Sequence, residues 1–267
     1  MKPGQARDWL DRKKEGEYTL LDVRQPAEYR AGHLPGAVFI PLPELLDRVG
    51  ELDPSKPVLT YCRSGNRSRS AAALLLTKGF TRVASLEGGI TAWDGQTAFG
   101  DYREGLYLLE GRETPEALFS LAWSLEEGSR LFYEKAGEMT SDGEAKDLFH
   151  KLAAAEEKHK SNIFDAYRMA AGRDANDFRD GETVKGVMEG GVQVEDVLAF
   201  IKEKGRTVHD SIEVSMEIET NALDLYIKML RQIDQANARK IFVLLVEEEK
   251  HHLSMLGRIL EEKVENP

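Results

Sequence analysis

The second half of this 267-residue chain repeats itself at a fixed offset, and that repeat limits the possible folds more than any other feature. "LEEGSRLFY" (125–133) places Glu126 seven residues before Tyr133, and "IETNALDLY" (218–226) places Glu219 seven residues before Tyr226. Thirty residues after each Glu stands a Glu-x-x-His: Glu156 with His159 in "EEKH", and Glu249 with His252 in "EKHH". The four matched pairs are each 93 residues apart. Seven residues are close to two helical turns, so each Glu shares a face with its Tyr. Residues at i and i+3 share a face as well. Four helices would therefore aim four carboxylates and two imidazoles at one axis. Their neighbours in "LAWSLEEGSRLF" and "FVLLVEEEKHHLSML" are apolar, which places these groups inside. Buried carboxylates without a counter-charge are costly, so the pattern calls for cations.

A single Glu-x-x-His on a helix is usually a solvated face; two copies in register point to a two-metal site. His251 competes with His252, because Glu248 and His251 also fit the motif, and the repeat offset selects Glu249 and His252. Glu127, Glu157, Glu247 and Glu248 are expected on the solvated face. Mixed Glu/His sites with carboxylate bridges suit iron or manganese better than zinc.

On these residues the chain resembles the rubrerythrin-like branch of the ferritin-like di-iron proteins, over about residues 114–265. The resemblance implies an all-α ferritin-like four-helix bundle with a long crossover, holding two iron ions, with manganese or a mixed pair as alternatives. Carried over position by position, Glu126 and Glu219 would be terminal ligands, Glu156 and Glu249 bridges, and His159 and His252 would each hold one metal. Tyr133 and Tyr226 would stand beside the ligands; as plain core aromatics they are equally well explained. The implied chemistry is reaction with peroxide or O2. There are departures. Rubrerythrin proper has a further Glu on the third helix, three residues from the first, whereas Met216 and Ala222 flank Glu219 here and Glu217 lies on another face. Nor can one cysteine build a four-cysteine rubredoxin site, so an external electron donor, or thiol chemistry, is expected.

The first hundred residues read differently. "YTLLDV" (18–23), "GAVFIP" (36–41), "PVLTYC" (57–62) and "RVASLEGG" (82–89) are short apolar runs separated by helical patterns in "LPELLDRVGEL" (42–52) and "RSRSAAALLLTKGF" (67–80). Strands alternating with helices indicate an α/β domain, a parallel sheet with flanking helices, over residues 1–96. Residues 97–113 read as a partly packed linker. From Thr114, an N-cap followed by Pro115, the period becomes helical through 267, with helices expected at about 114–139, 143–171, 194–205, 206–235 and 237–264. Residues 173–193 form the crossing.

The lone cysteine stands at the end of a strand in "YCRSGNRSRS" (61–70). Backbone N–H groups of the loop would converge on its sulfur at the positive end of the following helix. Arg63 and Arg67 add charge, so the Cys62 thiol should titrate below its free value. A lone Cys is more often a buried structural residue, but such a residue needs no arginine cradle. Cys62 is therefore the candidate nucleophile, with Arg63, Ser64, Gly65, Asn66, Arg67 and Ser68 as its anion-binding or sulfur-binding loop.

Here the chain resembles the single-domain rhodanese family over about residues 4–96. "LLDVRQPAEYRAGHLPGAVFIP" carries the entry motif with Asp22, Arg24, Glu28, Gly32, His33, Pro35 and Gly36, "YCRSGNRS" the active loop and "LEGGITAW" the closing motif. The resemblance implies a Cys62 persulfide, loaded from thiosulfate or a persulfide donor and discharged to a thiol acceptor. It also implies that Asp22, Arg24 and His33 brace the fold. Phosphatase loops place five residues between Cys and Arg; this chain has four between Cys62 and Arg67, which favours sulfur transfer.

Charge and composition set the remaining bounds. Residues 1–105 carry 15 Lys+Arg and 14 Asp+Glu, and residues 106–267 carry 21 and 33, so a net of +1 is followed by −12. No basic stripe exists for nucleic acid. No apolar run is long enough to span a membrane, and the charged start is not a secretory signal. A cytoplasmic, bifunctional homodimer is expected, joining sulfur transfer at Cys62 to di-iron oxidoreductase chemistry. The alternative is an iron-binding or redox-sensing bundle joined to a persulfide-binding module.

Overall fold

The computed structural model describes residues 1–112, 114–171, 177–178, 184–204 and 207–265. The chain divides into two compact units, Met1–Tyr102 and Arg103–Pro267. The stretch expected to be a linker is thus shared out. Ala98 pairs with His33, and Tyr102 packs edge-on against Tyr29 in the first unit. Leu108 is buried in the core of the second.

The first unit opens with helix α1 (Pro3–Asp11), which the charged opening had not suggested. Four parallel strands follow, β1 (Thr19–Asp22), β2 (Val38–Phe39), β3 (Val58–Tyr61) and β4 (Val83–Ser85), in the order β2-β1-β3-β4. Helices α2 (Pro26–Arg30), α3 (Leu45–Arg48) and α4 (Asn66–Thr77) make the crossings, with 3-10 turns on both sides of α3. β1 and β3 are buried along their whole length, as expected of central parallel strands covered on both faces. One apolar cluster, including Leu21, Ile40 and Leu75, fills one part of this unit, and a second, including Leu20, Tyr29 and Leu59, fills another; neighbouring strand residues feed different clusters.

The second unit is helical: α5 (Pro115–Met139), α6 (Gly143–Ala171), α7 (Val194–Lys204), α8 (Val208–Gln232) and α9 (Ala236–Glu265). The Thr114 hydroxyl accepts from the Ala117 N–H at 3.2 Å, and Thr207 forms a reciprocal cap with Asp210 at the start of α8. Two apolar layers fill the bundle. One takes Leu121 and Leu125 of α5, Ile163 of α6, Leu223 and Tyr226 of α8, and Phe242 and Leu245 of α9. The other takes Phe132 and Tyr133 of α5, Phe149 and Leu152 of α6, Ile212 of α8 and Leu256 of α9. Along α5 and α9 the first layer precedes the second; along α6 and α8 the order is reversed. α6 and α8 therefore run the same way, and the chain between them has to return the length of the bundle. The expected ends at Gly172 and Gly205, and much of the crossing at 173–193, lie outside the described residues. No helix among the described residues is long and apolar enough to cross a membrane.

Candidate functional site

Between the two apolar layers every helix of the α5/α6 and α8/α9 pairs contributes a polar group. Glu126, Glu156, Glu219 and Glu249 are fully buried, and His159 and His252 are 5% and 4% exposed. The structure brings all six together. Nδ1 of His159 lies 3.0 Å from Glu126 and 3.0 Å from Glu156. Nδ1 of His252 lies 3.2 Å from Glu219, 3.9 Å from Glu156 and 4.0 Å from Glu249. The two rings stack with centroids 4.8 Å apart. His251 is exposed, so the repeat offset had selected the inward histidine.

The tyrosines cross over. Tyr133 donates to Glu219 at 2.5 Å and Tyr226 donates to Glu126 at 2.7 Å, so each half of the repeat holds the carboxylate of the other. Burial, together with the carboxylates nearby, pushes both phenols well above their ordinary range and keeps them as donors.

The electrostatics split the acids into two classes. Burial opposes ionisation of Glu126 and Glu219. His159 nevertheless holds Glu126 below the usual carboxylate range, and His252 with Tyr133 draws Glu219 down to about 2. Burial and neighbouring carboxylates push Glu156 and Glu249 well above that range. Neither oxygen of Glu156 or Glu249 has a hydrogen-bond partner among the described residues. Burial lowers His159, but Glu126 more than offsets it and raises the imidazole to about 9. These orphaned oxygens fit cations. Ligand atoms of Glu156, His159 and His252, of Glu126, His159 and Glu249, and of Glu219, Glu249 and His252 lie within 4.8 Å of one another in each group. A carboxylate and imidazole set of this kind can hold two metal ions in adjoining positions.

One acid at the site was not read from the sequence, and a second was expected elsewhere. Glu189, in the 3-10 turn Glu189–Gly191 of the crossing, is 1% exposed and receives a hydrogen bond from Tyr226 at 2.8 Å. It belongs to no helical period and has no repeat mate, so no pattern marked it. Glu248 is not on the solvated face as expected. Its side chain is 17% exposed, it lies 3.9 Å from Nε2 of His159, and Asn162 donates to it at 2.9 Å. Glu157 and Glu247 are exposed, while Glu127 is half-buried between Arg130 and Lys160.

In the first unit β3 delivers Cys62 to the start of a tight loop. Gly65 takes a φ of +93°, a conformation open to glycine, and its N–H donates to the Cys62 sulfur at 3.1 Å. Burial raises the thiol, but the Ser68 hydroxyl and the N–H groups of Ser68, Ser64 and Gly65 outweigh it and bring Cys62 below its ordinary value. Arg63, Ser64 and Asn66 are exposed around the mouth, and Gly65 and Ser68 are buried. Arg67 turns to Glu28, with two bonds of 2.7 and 2.6 Å, and this pairing takes Glu28 down to about 2. Gly88 and Gly89 press on the loop from behind: a Cβ on Gly89 would lie 2.2 Å from the Cys62 carbonyl oxygen. Asp22 and Arg24 form a buried ion pair, Arg24 also donates to the Gly32 carbonyl, and His33 stacks on Tyr29. All three are buried in the frame of the domain.

Comparison with known proteins agrees with this layout. Residues 118–260, more than half of the chain, match the family described as Rubrerythrin. The chain belongs to the rubrerythrin family. Residues 5–96 match the Rhodanese-like domain, so the rubrerythrin bundle is fused to a rhodanese-like α/β domain. Among curated relatives, tRNA uridine(34) hydroxylase of Chlamydia trachomatis is 36% identical over 113 residues, covering 39% of this chain and 35% of that protein. The chain thus matches about a third of the length of those relatives. Among solved structures, a rhodanese-related protein from Thermoplasma volcanium is 30% identical, covering 35% of this chain and 87% of that one, with a TM-score of 0.32. A rhodanese-like domain protein from Staphylococcus aureus is 23% identical, covering 38% and 97%, with a TM-score of 0.35.

Proposed function

We propose that this rubrerythrin carries two activities, sulfur transfer through a Cys62 persulfide and oxidation chemistry at a di-iron centre that consumes peroxide or O2. The observation that carries the second activity is the sealed set of orphaned carboxylate oxygens on Glu156 and Glu249, between histidines whose Nδ1 atoms face inward. Glu126, His159 and Glu156 would hold one ion, and Glu219, His252 and Glu249 the other, with Glu156 and Glu249 shared. Two ferrous ions in such a site supply the two electrons that reduce peroxide.

The chain's own residues do the rest. The apolar layers keep bulk water from the ligands. Tyr133 and Tyr226 each hold a proton at the phenol oxygen, beside Glu219 and Glu126. They also fix the rotamers of both terminal ligands.

At the other site the Cys62 thiolate attacks the outer sulfur of thiosulfate. The S–S bond breaks, sulfite leaves with the electron pair, and the persulfide is held by the loop N–H groups. An acceptor thiolate then takes the outer sulfur and regenerates Cys62. No second cysteine exists to expel the sulfur as an internal disulfide. The tRNA named for the chlamydial relatives is not carried to this chain, whose net charge of −11 is unsuited to phosphate.

Both halves are testable on the full-length protein. Thiosulfate should add one sulfur atom to Cys62 by intact mass. Anaerobic iron reconstitution should load two ions per chain, and the ferrous protein should oxidise on stopped-flow mixing with peroxide. An unmodified Cys62 overturns the first activity. Less than one iron per chain overturns the second, and loading of two ions without oxidation would favour an iron-binding or sensing bundle.

A further inference from the structure

Among the described residues, Glu189 is the one carboxylate of the candidate metal centre that the four helices do not supply. Its ligand oxygen lies with those of Glu126 and Glu156 in a group whose atoms are all within 4.8 Å of one another. One oxygen accepts from Tyr226 at 2.8 Å; the other, Oε2, is sealed from solvent and has no partner among the described residues. The Tyr226 hydroxyl has one proton and two carboxylates within reach, Glu126 at 2.7 Å and Glu189 at 2.8 Å. It can serve one of them at a time, so the other contact needs either a proton on a carboxyl or a cation between the two acids.

The turn that carries Glu189 is seated against its neighbours by small residues. A Cβ on Gly128 of α5 would lie 2.1 Å from the Val187 carbonyl oxygen, so only glycine lets the crossing approach here. Gly190 takes a φ of +78° and packs 3.3 Å, measured from its would-be Cβ, from Asn221 of α8, next to the buried Ala222. The Glu189 N–H donates to the Ser129 hydroxyl at 3.3 Å. Several elements fix this backbone, and the side chain it delivers is an acid in a place where an apolar residue would cost less.

We infer that Glu189 is a seventh protein ligand of the di-metal centre, binding through Oε2 the ion held by Glu126 and Glu156. This rests on the metal-centre reading above. It breaks the two-fold symmetry of the repeat. The ion beside Glu126 gains a carboxylate beyond Glu126 and the two shared acids, while no further acid joins Glu219, Glu249 and His252 in their group among the described residues. The two positions should therefore differ in affinity, and the difference should vanish with Glu189.

The test is a metal titration of the chelator-stripped, full-length protein with Co(II), followed by visible absorption and calorimetry. Wild type is expected to bind two Co(II) per chain. Glu189→Gln keeps shape and the Tyr226 contact but not the charge. It should weaken one of the two binding steps about tenfold or more, as loss of a metal-site partner commonly does, and leave the other within about threefold. Glu189→Asp should fall between. Helical circular dichroism identifies a variant that fails to fold, and Glu189→Asp then carries the comparison. Two unchanged steps in Glu189→Gln, or equal weakening of both, overturn the inference while leaving the metal centre intact. Fewer than one Co(II) in wild type removes both.

Discussion

Cys62 draws its hydrogen-bond donors from within six residues, Ser64, Gly65 and Ser68. Glu156 instead faces groups from three other helices and a turn, as far along the chain as His252. The two sites also solve opposite problems. The loop surrounds one negative atom with donors and lowers the thiol. The bundle packs negative groups against one another and drives Glu156, Glu189 and Glu249 toward the protonated state. A local anion site is complete once its loop has folded. The other is assembled by tertiary packing and stays electrostatically unfinished until protons or metal ions enter it.

The largest effect that would test this contrast comes from Cys62→Ala. Sulfur transfer from thiosulfate should fall below detection, because no other thiol exists, while iron content and the rate of peroxide-driven oxidation stay within about twofold. A Cys62→Ala protein that loses iron or oxidises slowly would mean that the sites are not independent.

Gly89→Ala probes the loop without touching its donors. The added Cβ would meet the carbonyl oxygens of Cys62 and Arg63 at 2.2 and 2.5 Å, so the loop must shift. Gly89 also has a φ of +60°, which adds about 1 kcal/mol of backbone strain for alanine. A displacement near 1 Å at a reacting group commonly costs about 100-fold, and a loss of that order in transfer rate is expected. Retention of full activity would show that the loop N–H groups do not have to be held to this geometry.

How much of each site could be read from sequence follows the same contrast. The strand–Cys–loop–helix order and the Cys62–Ser68 stretch are contiguous, so the geometry of this loop was legible residue by residue. The six inward Glu and His side chains were legible because the repeat wrote them twice with one offset. The crossed tyrosine pairing was not, since facing along one helix does not say which partner helix lies opposite. Glu189 was invisible for a stronger reason: its position depends on where a long crossing packs, and neither helical period nor repeat governs that. Glu248, expected in solvent, lies one residue from the buried Glu249, and a step of about 100° around the helix leaves it largely buried. α1 was missed because its apolar face is narrow, with Ala6 its only buried residue among those described.

A pH series on the metal-stripped protein sharpens the bundle's half of the comparison. Glu156, Glu189 and Glu249 have folded-state values raised above 4.5, so folding takes up protons above that pH and stability falls as pH rises through the raised values. His159 acts in the same direction: its contribution is complete below 6.5 and is lost as pH passes about 9. Glu219, held at about 2, contributes above 4.5 and loses that contribution as pH falls toward 2. The stripped bundle should therefore be most stable near pH 5, its melting temperature dropping by roughly 5–10 °C between pH 5.5 and 8.5. With metal bound, the drop should shrink to about 2 °C. Equal slopes with and without metal would mean that the ions do not replace protons among these acids.

The smallest effect is expected from Glu28→Gln. Arg67 is bound by Glu28 but also lies close enough to Cys62 to feel its charge. Both partners are about a third exposed, so water screens the pair and it contributes little stability. Removing the carboxylate charge leaves the guanidinium beside the sulfur uncompensated, which favours thiolate and should lower the thiol value slightly. Iodoacetamide alkylation of Cys62 at pH 6.5 should then speed up by no more than about threefold. The backbone N–H groups would remain the main stabilisers, as the loop geometry requires. A tenfold slowing instead would assign Glu28 the task of holding Arg67 over the sulfur. The anion site would then depend on a residue 39 positions from Arg67 in sequence, and its contrast with the bundle would narrow.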